Sequence, residues 1–262
     1  MPLFTNADVT MEYERHGDPE GRPVFVHHGM LGSAGIAPQW GELATDAGVS
    51  LITVARPGYG QSTPVAMQSI ADWAALLAPL ADNLGLPRFS ALGISSGAPY
   101  CYALAAALPD RLDRVAVLAG VGMVNEPETR AHYPEEAQRT FETYAQMPET
   151  DVRKQWFENL TVGLAQMPPE HPLRRPLTDS IAHEAAGPAR EWVLQQRDWG
   201  FDLRTLSTPV TLWHSLADDQ VPFAAAEIVA AHIPGAVLHE QAEPGHFPSE
   251  PTVRAALSLL GQ

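Results

Sequence analysis

The chain has 262 residues, of which 45 % are hydrophobic and 18 % charged. That length suits one domain, or one core carrying an insertion, and that balance excludes intrinsic disorder. Sixteen Lys and Arg stand against 31 Asp and Glu, a formal net charge of −15, which argues against nucleic-acid backbones and anionic membrane surfaces as partners. The single cysteine, Cys101, excludes an intrachain disulfide and a thiolate-rich metal site. The first residues carry no basic patch followed by an apolar run, and no stretch approaches the ~18 apolar residues of a membrane span, so a cytoplasmic protein is expected.

Residues 9–15 alternate, with Val9, Met11 and Tyr13 on one face and Thr10, Glu12 and Glu14 on the other, which is the pattern of a half-exposed strand. GDPEGRP (17–23) reads as a turn. Short apolar runs follow at 23–28, 51–55, 89–94, 114–119 and 210–213, with a weaker one at 236–240. Runs of this kind suit strands buried on both faces of a parallel sheet. Between them, Ser69 and Asp72 form a capping-box pattern ahead of a stripe of Trp73, Leu76, Leu77, Leu80 and Leu84, with a kink expected at Pro79. Further helices are expected near 98–108, 223–232 and 251–260. Strand and helix alternate, which predicts an α/β fold with a doubly wound, mostly parallel sheet. The alternation breaks between 124 and 204, a stretch rich in Glu, Gln, Arg, Trp and Met with PPEHPLRRP (168–176) as a proline-punctuated linker. It reads as a helical insertion, dividing the chain into a first core part (1–123), a cap (124–204) and a second core part (205–262).

GISSG (93–97) has the form G-x-S-x-G, with Ser95 at its centre. A nucleophile must project from a sharp strand-to-helix turn, and glycines at 93 and 97 make room where a side chain would crowd it. The pattern stands between an expected strand and an expected helix, the context that gives it meaning. The N–H of Ser96 then points into the same space as the Ser95 hydroxyl. A serine hydroxyl needs a base. Of ten histidines, His246 in EPGHFPSEP (243–251) stands in a loop after the last expected strand, and His214 is its rival. The base needs an acid to fix its tautomer. HSLADDQVP (214–222) offers Asp218 and Asp219 beyond the end of a late strand, and spacing alone does not choose between them.

With these landmarks in order, the chain resembles the α/β-hydrolase superfamily over nearly its whole length. VFVHHGM (24–30) resembles the strand and His-Gly that precede the oxyanion loop. ARPGYGQS (55–62) is similar to the family's R-P-G turn, and RDWGFDL (197–203) to the return from a cap. LWHSLADDQVP (212–222) is similar to G-x-x-D-x-x-V-P, which selects Asp218, and PGHF (244–247) matches the segment of the catalytic histidine. The resemblance implies a Ser95–Asp218–His246 triad and an oxyanion hole from the backbone N–H groups of Met30 and Ser96. Two positions depart from the pattern: Ala55 replaces an Asp, and Ser215 a Gly.

The resulting expectation is a serine hydrolase acting on a carboxylic ester of a small to medium, apolar molecule through an acyl-enzyme. Trp156, Phe157, Leu160, Leu164 and Met167 have helical spacing and offer an apolar roof. Besides a cofactor-free oxygenase or C–C hydrolase using the same Ser-His framework, two alternatives stand beside it. One is an aminopeptidase of the proline-iminopeptidase kind, in which Glu135, Glu136, Glu142 or Asp151 would hold a substrate ammonium. The other is a ligand-binding receptor on the same fold. His27 and His28 are adjacent on a strand end, so their side chains diverge. The chain carries no HExxH, Walker loop or G-x-G-x-x-G, so neither metal nor cofactor is expected.

Overall fold

The computed structural model describes residues 1–241 and 243–262. Among these residues, eight strands form one sheet in the order β1-β2-β4-β3-β5-β6-β7-β8. β1 (Leu3–Asn6) and β2 (Val9–Gly17) form an antiparallel hairpin at one edge, and β2 pairs antiparallel with β4 (Val49–Val54). From there β3 (Arg22–His27), β5 (Phe89–Ile94), β6 (Leu112–Leu118), β7 (Val210–Ser215) and β8 (Val237–Gln241) run parallel. Every residue of β4 is buried, as its apolar run requires.

Helices cover both faces. Leu43 and Ala44 of α1 (Pro38–Asp46) pack with Val253, Ala256, Leu257 and Leu260 of α9 (Glu250–Leu260) on one face. On the other lie α2 (Trp73–Asn83), α3 (Ala98–Ala107) and α8 (Phe223–His232). The capping box forms as expected: the Ser69 N–H donates to Asp72 Oδ2 at 3.3 Å, ahead of a 3₁₀ turn that runs into α2. α2 runs through Pro79 as one element. The chain leaves β3 toward β4 on one side and returns by α2 to β5 on the other side of β3. That reversal makes the carboxyl ends of β3 and β5 the topological switch point, the place where open α/β sheets hold ligands.

Four helices fall between β6 and β7: α4 (Pro127–Arg130), α5 (Glu135–Gln146), α6 (Glu149–Gln166) and α7 (Arg174–Gln195). The expected linker therefore ends early, because its last arginines already belong to α7. α7 bends sharply at 182–185, where His183, Glu184 and Ala185 all take positive φ. Arg153 of α6 holds that turn, donating to the carbonyls of His183 (2.8 Å) and Glu184 (3.2 Å). No helix among the described residues is long and apolar enough to cross a membrane.

Candidate active site

β5 ends at Ile94, and the chain turns into a 3₁₀ segment and then α3. Ser95 sits at that corner with φ +51°. A non-glycine residue in the left-handed region is strained, and such strain clusters at functional sites. The glycines on either side are needed for close approach. A Cβ on Gly93 would stand 2.9 Å from both Ala98 Cα and Cys101 Sγ, and one on Gly97 would collide with the carbonyl of His27.

His246 reaches Ser95 from the loop after β8. Its Nε2 lies 2.9 Å from Ser95 Oγ, and its Nδ1 lies 2.8 and 3.1 Å from the two carboxylate oxygens of Asp218. A carboxylate only accepts, so Nδ1 carries the proton and Nε2 is left to accept from Ser95. The Asp218 side chain is fully buried. Its Oδ1 also accepts from the backbone N–H groups of Gln220 and Val221, both at 2.8 Å. Burial alone would push this carboxyl up, but bonds from His214, His246 and those two amides hold it well below the usual carboxylate range. Asp219, one residue on, is exposed.

His214, the rival histidine of the sequence, bonds to Asp218 and Val221. Its Nε2 lies 3.1 Å from Asp218 Oδ2 and 2.9 Å from the Val221 carbonyl. Both neighbours accept, so this nitrogen donates, and the imidazole braces the acid. Ser215 replaces glycine without opening the acid loop: its Oγ accepts from the Ala217 N–H at 3.2 Å and its carbonyl from the Asp218 N–H at 3.3 Å. At the other departure, Ala55 is buried against Ala34 and Tyr59. Its turn is tied through its own backbone groups, with the Ala55 N–H donating to the Glu12 carbonyl at 3.0 Å and the Ser62 hydroxyl donating to the Ala55 carbonyl at 2.6 Å.

β3 delivers His27-His28-Gly29 beside the elbow, and a Cβ on Gly29 would stand 3.6 Å from Ser95 Cβ. The two imidazoles diverge. His27 Nε2 accepts from Trp73 Nε1–H at 2.8 Å, and burial lowers this histidine to about 3, so it is neutral. Its Nδ1 lies 3.4 Å from Sγ of Cys101, which is fully buried. His28 turns the other way, with Nδ1 at 2.7 Å from the Gly29 carbonyl and Nε2 accepting from the Arg56 N–H at 3.2 Å. Met30 and Ser96 both line a cavity with Ser95 and His246.

A buried ion pair that sequence reasoning missed ties this loop to the inserted helices. Arg56, fully buried, donates from Nη1 to the His28 carbonyl at 2.6 Å and from Nη2 to the Gly29 carbonyl at 3.1 Å. Nε and Nη2 also bind both carboxylate oxygens of Glu191 on α7. Burial would lower the Arg56 pKa, but Glu191 outweighs it and keeps the guanidinium charged. Tyr59 Oη lies 2.8 Å from the Met30 carbonyl and 3.0 Å from Glu191 Oε2. Arg56 stood in the R-P-G motif, but no local signal names a partner 135 residues away.

Two cavities meet at Ser95. The larger, about 570 Å³, lies under the inserted helices and is walled by Val121, Val124, Tyr133, Phe141, Trp156 and Trp192. The smaller, about 340 Å³, is lined by Ile36, Trp40, Leu173 and Pro248. Met30, Leu31, Ser95, Gln220 and His246 border both. The expected roof is only partly correct. Trp156 lines the larger cavity, but Leu160, Leu164 and Met167 face Leu177 and Ala185 of α7, and Phe157 lies on the outer surface. The helical stripe on α6 is a helix-packing face. Of Glu135, Glu136, Glu142 and Asp151, the carboxylates expected to hold an ammonium, Glu136 alone lines the cavity, and Glu135 pairs with Arg139 on an exposed face.

Residues 22–250 match the family model of the alpha/beta hydrolase fold, and the chain belongs to that family. Among curated sequences, it is 30 % identical over 113 residues to the uncharacterized hydrolase YcgS of Bacillus subtilis, a match spanning 43 % of this chain and 38 % of that one. It is 26 % identical over 274 residues to a 2-hydroxy-6-oxononadienedioate/2-hydroxy-6-oxononatrienedioate hydrolase of Pseudomonas putida, covering 97 % of this chain and 92 % of the relative. A hydrolase from Pseudomonas aeruginosa shares the fold with a TM-score of 0.74 at 17 % identity, covering 100 % of this chain and 98 % of that one.

Proposed function

We propose that this hydrolase cleaves carboxylic esters of uncharged small to medium molecules through an acyl-enzyme on Ser95. The observation that carries the reading is the unbroken Asp218–His246–Ser95 hydrogen-bond relay on a strained nucleophile corner. Ser95 Oγ attacks the carbonyl carbon as His246 Nε2 takes its proton. Asp218 holds the imidazole and stabilises the imidazolium that forms. The Met30 and Ser96 N–H groups stabilise the tetrahedral oxyanion, each donor contributing about 2.7–4 kcal/mol in sites of this kind. His246 then protonates the departing alkoxide. Water, activated by the same imidazole, releases the acid and restores Ser95. The helices of 124–204 act as the cap over this site.

The name of the Pseudomonas putida relative describes a dicarboxylate undergoing hydrolysis, which raises C–C bond cleavage as a second reading. Charge weighs against that substrate here. Among the described residues, no Lys or Arg lines either cavity, and Glu136 is the only carboxylate besides. A carboxylate brought into such a site loses water and meets no cation. The test is turnover of two p-nitrophenyl esters of equal length, one ending in a methyl group and one in a carboxylate. The methyl-ended ester should give a kcat/KM at least ~10-fold higher, because one unpaired charge is the whole difference. Preference for the carboxylate-ended ester would move the assignment to the dicarboxylate reading.

A further inference from the structure

The smaller cavity beside Ser95 offers little hydrogen bonding beyond the triad. Its polar lining groups are largely engaged already. Ser33 Oγ accepts from the Gly35 N–H at 2.8 Å, Thr53 Oγ1 donates to the Ala34 carbonyl, and both ring nitrogens of His28 are bonded to backbone. Val26, Ile36, Trp40 and Ile94 supply apolar wall. At about 340 Å³ the space stands near the lower end of ligand cavities, which run ~300–1,000 Å³. A long alkyl chain that starts at Ser95 and enters this cavity must therefore emerge from it.

The mouth is where such a chain meets a second apolar surface. Leu31, Leu173 and Phe247 line the cavity and are at the same time 45, 41 and 69 % exposed. They arrive from three separate places: the loop after β3, the residue that precedes α7, and the loop after β8. Among the described residues, none of the three packs in an interior hydrophobic cluster. Folding therefore does not require them to be apolar. Single exposed hydrophobic side chains are ordinary, but three converging on one opening mark a binding surface. Among the described residues, no Lys or Arg lines this cavity, so a charged group would find no partner there. The rim is continuous with the cavity that borders the nucleophile, and what covers it is an extension of what the nucleophile holds.

We propose that Leu31, Leu173 and Phe247 form an apolar rim that clamps an alkyl chain of the substrate as it leaves the smaller cavity. The preferred esters then carry, on one side of the scissile bond, an uncharged chain longer than that cavity holds. This deepens the ester-hydrolase reading and rests on it for the identity of the scissile bond. Over a polar rim the emerging methylenes would stay in water. Over this one each further methylene leaves water in part, so the gain continues after the cavity is full.

The experiment varies chain length on each side of the ester, below the concentration at which the substrate forms droplets. One pair is p-nitrophenyl butyrate and p-nitrophenyl decanoate, the other butyl acetate and decyl acetate. In one of the two pairs the longer ester should have a kcat/KM at least ~10-fold higher. In the double variant Phe247→Ser, Leu173→Ser that ratio should fall to about a third of its wild-type value or less. Both side chains stand outside the core, and the Phe247 carbonyl still accepts from Gln241 Nε2 at 3.2 Å, so the fold is retained. Any common loss at the triad cancels in the ratio. No preference for the longer ester in either pair, or a preference that survives the double variant unchanged, would overturn the proposal. So would a rate that rises only once droplets form, because the rim would then be meeting an aggregate surface. Binding of the methyl esters of butyric and decanoic acid and of the two alkyl acetates to Ser95→Ala, followed by tryptophan fluorescence with Trp40 in the same cavity, reads the rim without turnover. If no ester is hydrolysed but a long ligand binds tighter than its short homologue in a Phe247-dependent way, the rim stands and the ester reading alone fails.

Discussion

Asp218→Asn is expected to lower kcat for ester hydrolysis by about 10⁴-fold in a folded protein. The size of the effect follows from where each oxygen points. Oδ1 faces two backbone N–H donors, from Gln220 and Val221. An asparagine must keep its carbonyl oxygen there, because its amide group would oppose two donors with two more. The NH₂ is then turned toward His246 Nδ1 and His214 Nε2. His246 answers by taking its proton on Nε2, and in that tautomer it cannot accept from Ser95. The position of the ring is preserved and its function is lost. Steady-state kinetics together with near-UV circular dichroism checks this, and a native-like spectrum with less than a tenfold loss of kcat would show that Asp218 does not set the tautomer.

Glu191→Ala is expected to cost about 3–5 kcal/mol of stability, because it leaves the Arg56 guanidinium buried and uncompensated. Arg56 is fully buried and its Nε and Nη2 both bind Glu191, so no solvent is at hand to take over. The effect should extend to activity. The same guanidinium holds the carbonyls of His28 and Gly29, the residues that set the loop carrying the Met30 N–H. Denaturant unfolding reads the first effect and kcat the second. Glu191→Gln keeps an acceptor for Arg56 and Tyr59 and should lose less of both. A loss under about 1 kcal/mol in Glu191→Ala would mean that the Arg56 charge is balanced elsewhere.

The core of the fold was legible because its signals are local. Parallel strands buried on both faces declare themselves as apolar runs, and 89–94 corresponds residue for residue to β5. The elbow, the acid loop and the Gly-His-Phe segment each combine a turn with a chemically demanding residue, so their order along the chain already suggested which side chains meet. Two elements escaped. β1 is four residues long and mostly exposed, and α1 begins with Pro38 and contains Gly41, which leaves little pattern to read. The walls of the cavity escaped for a different reason. Helical periodicity on α6 located an apolar face correctly, but it could not tell whether that face meets a ligand or α7, and most of it meets α7. The Arg56–Glu191 pair is a tertiary fact, set by which helix of the insertion packs against the turn after β4.

The most direct test of an activated serine is intact-protein mass after treatment with a fluorophosphonate, on wild type and on Ser95→Ala, alongside p-nitrophenyl ester turnover. A single adduct on wild type, none on Ser95→Ala, and parallel loss of ester hydrolysis is the expected result. No adduct on folded wild type, or an adduct that persists in Ser95→Ala, would contradict a nucleophile at Ser95 and turn attention to ligand binding without turnover.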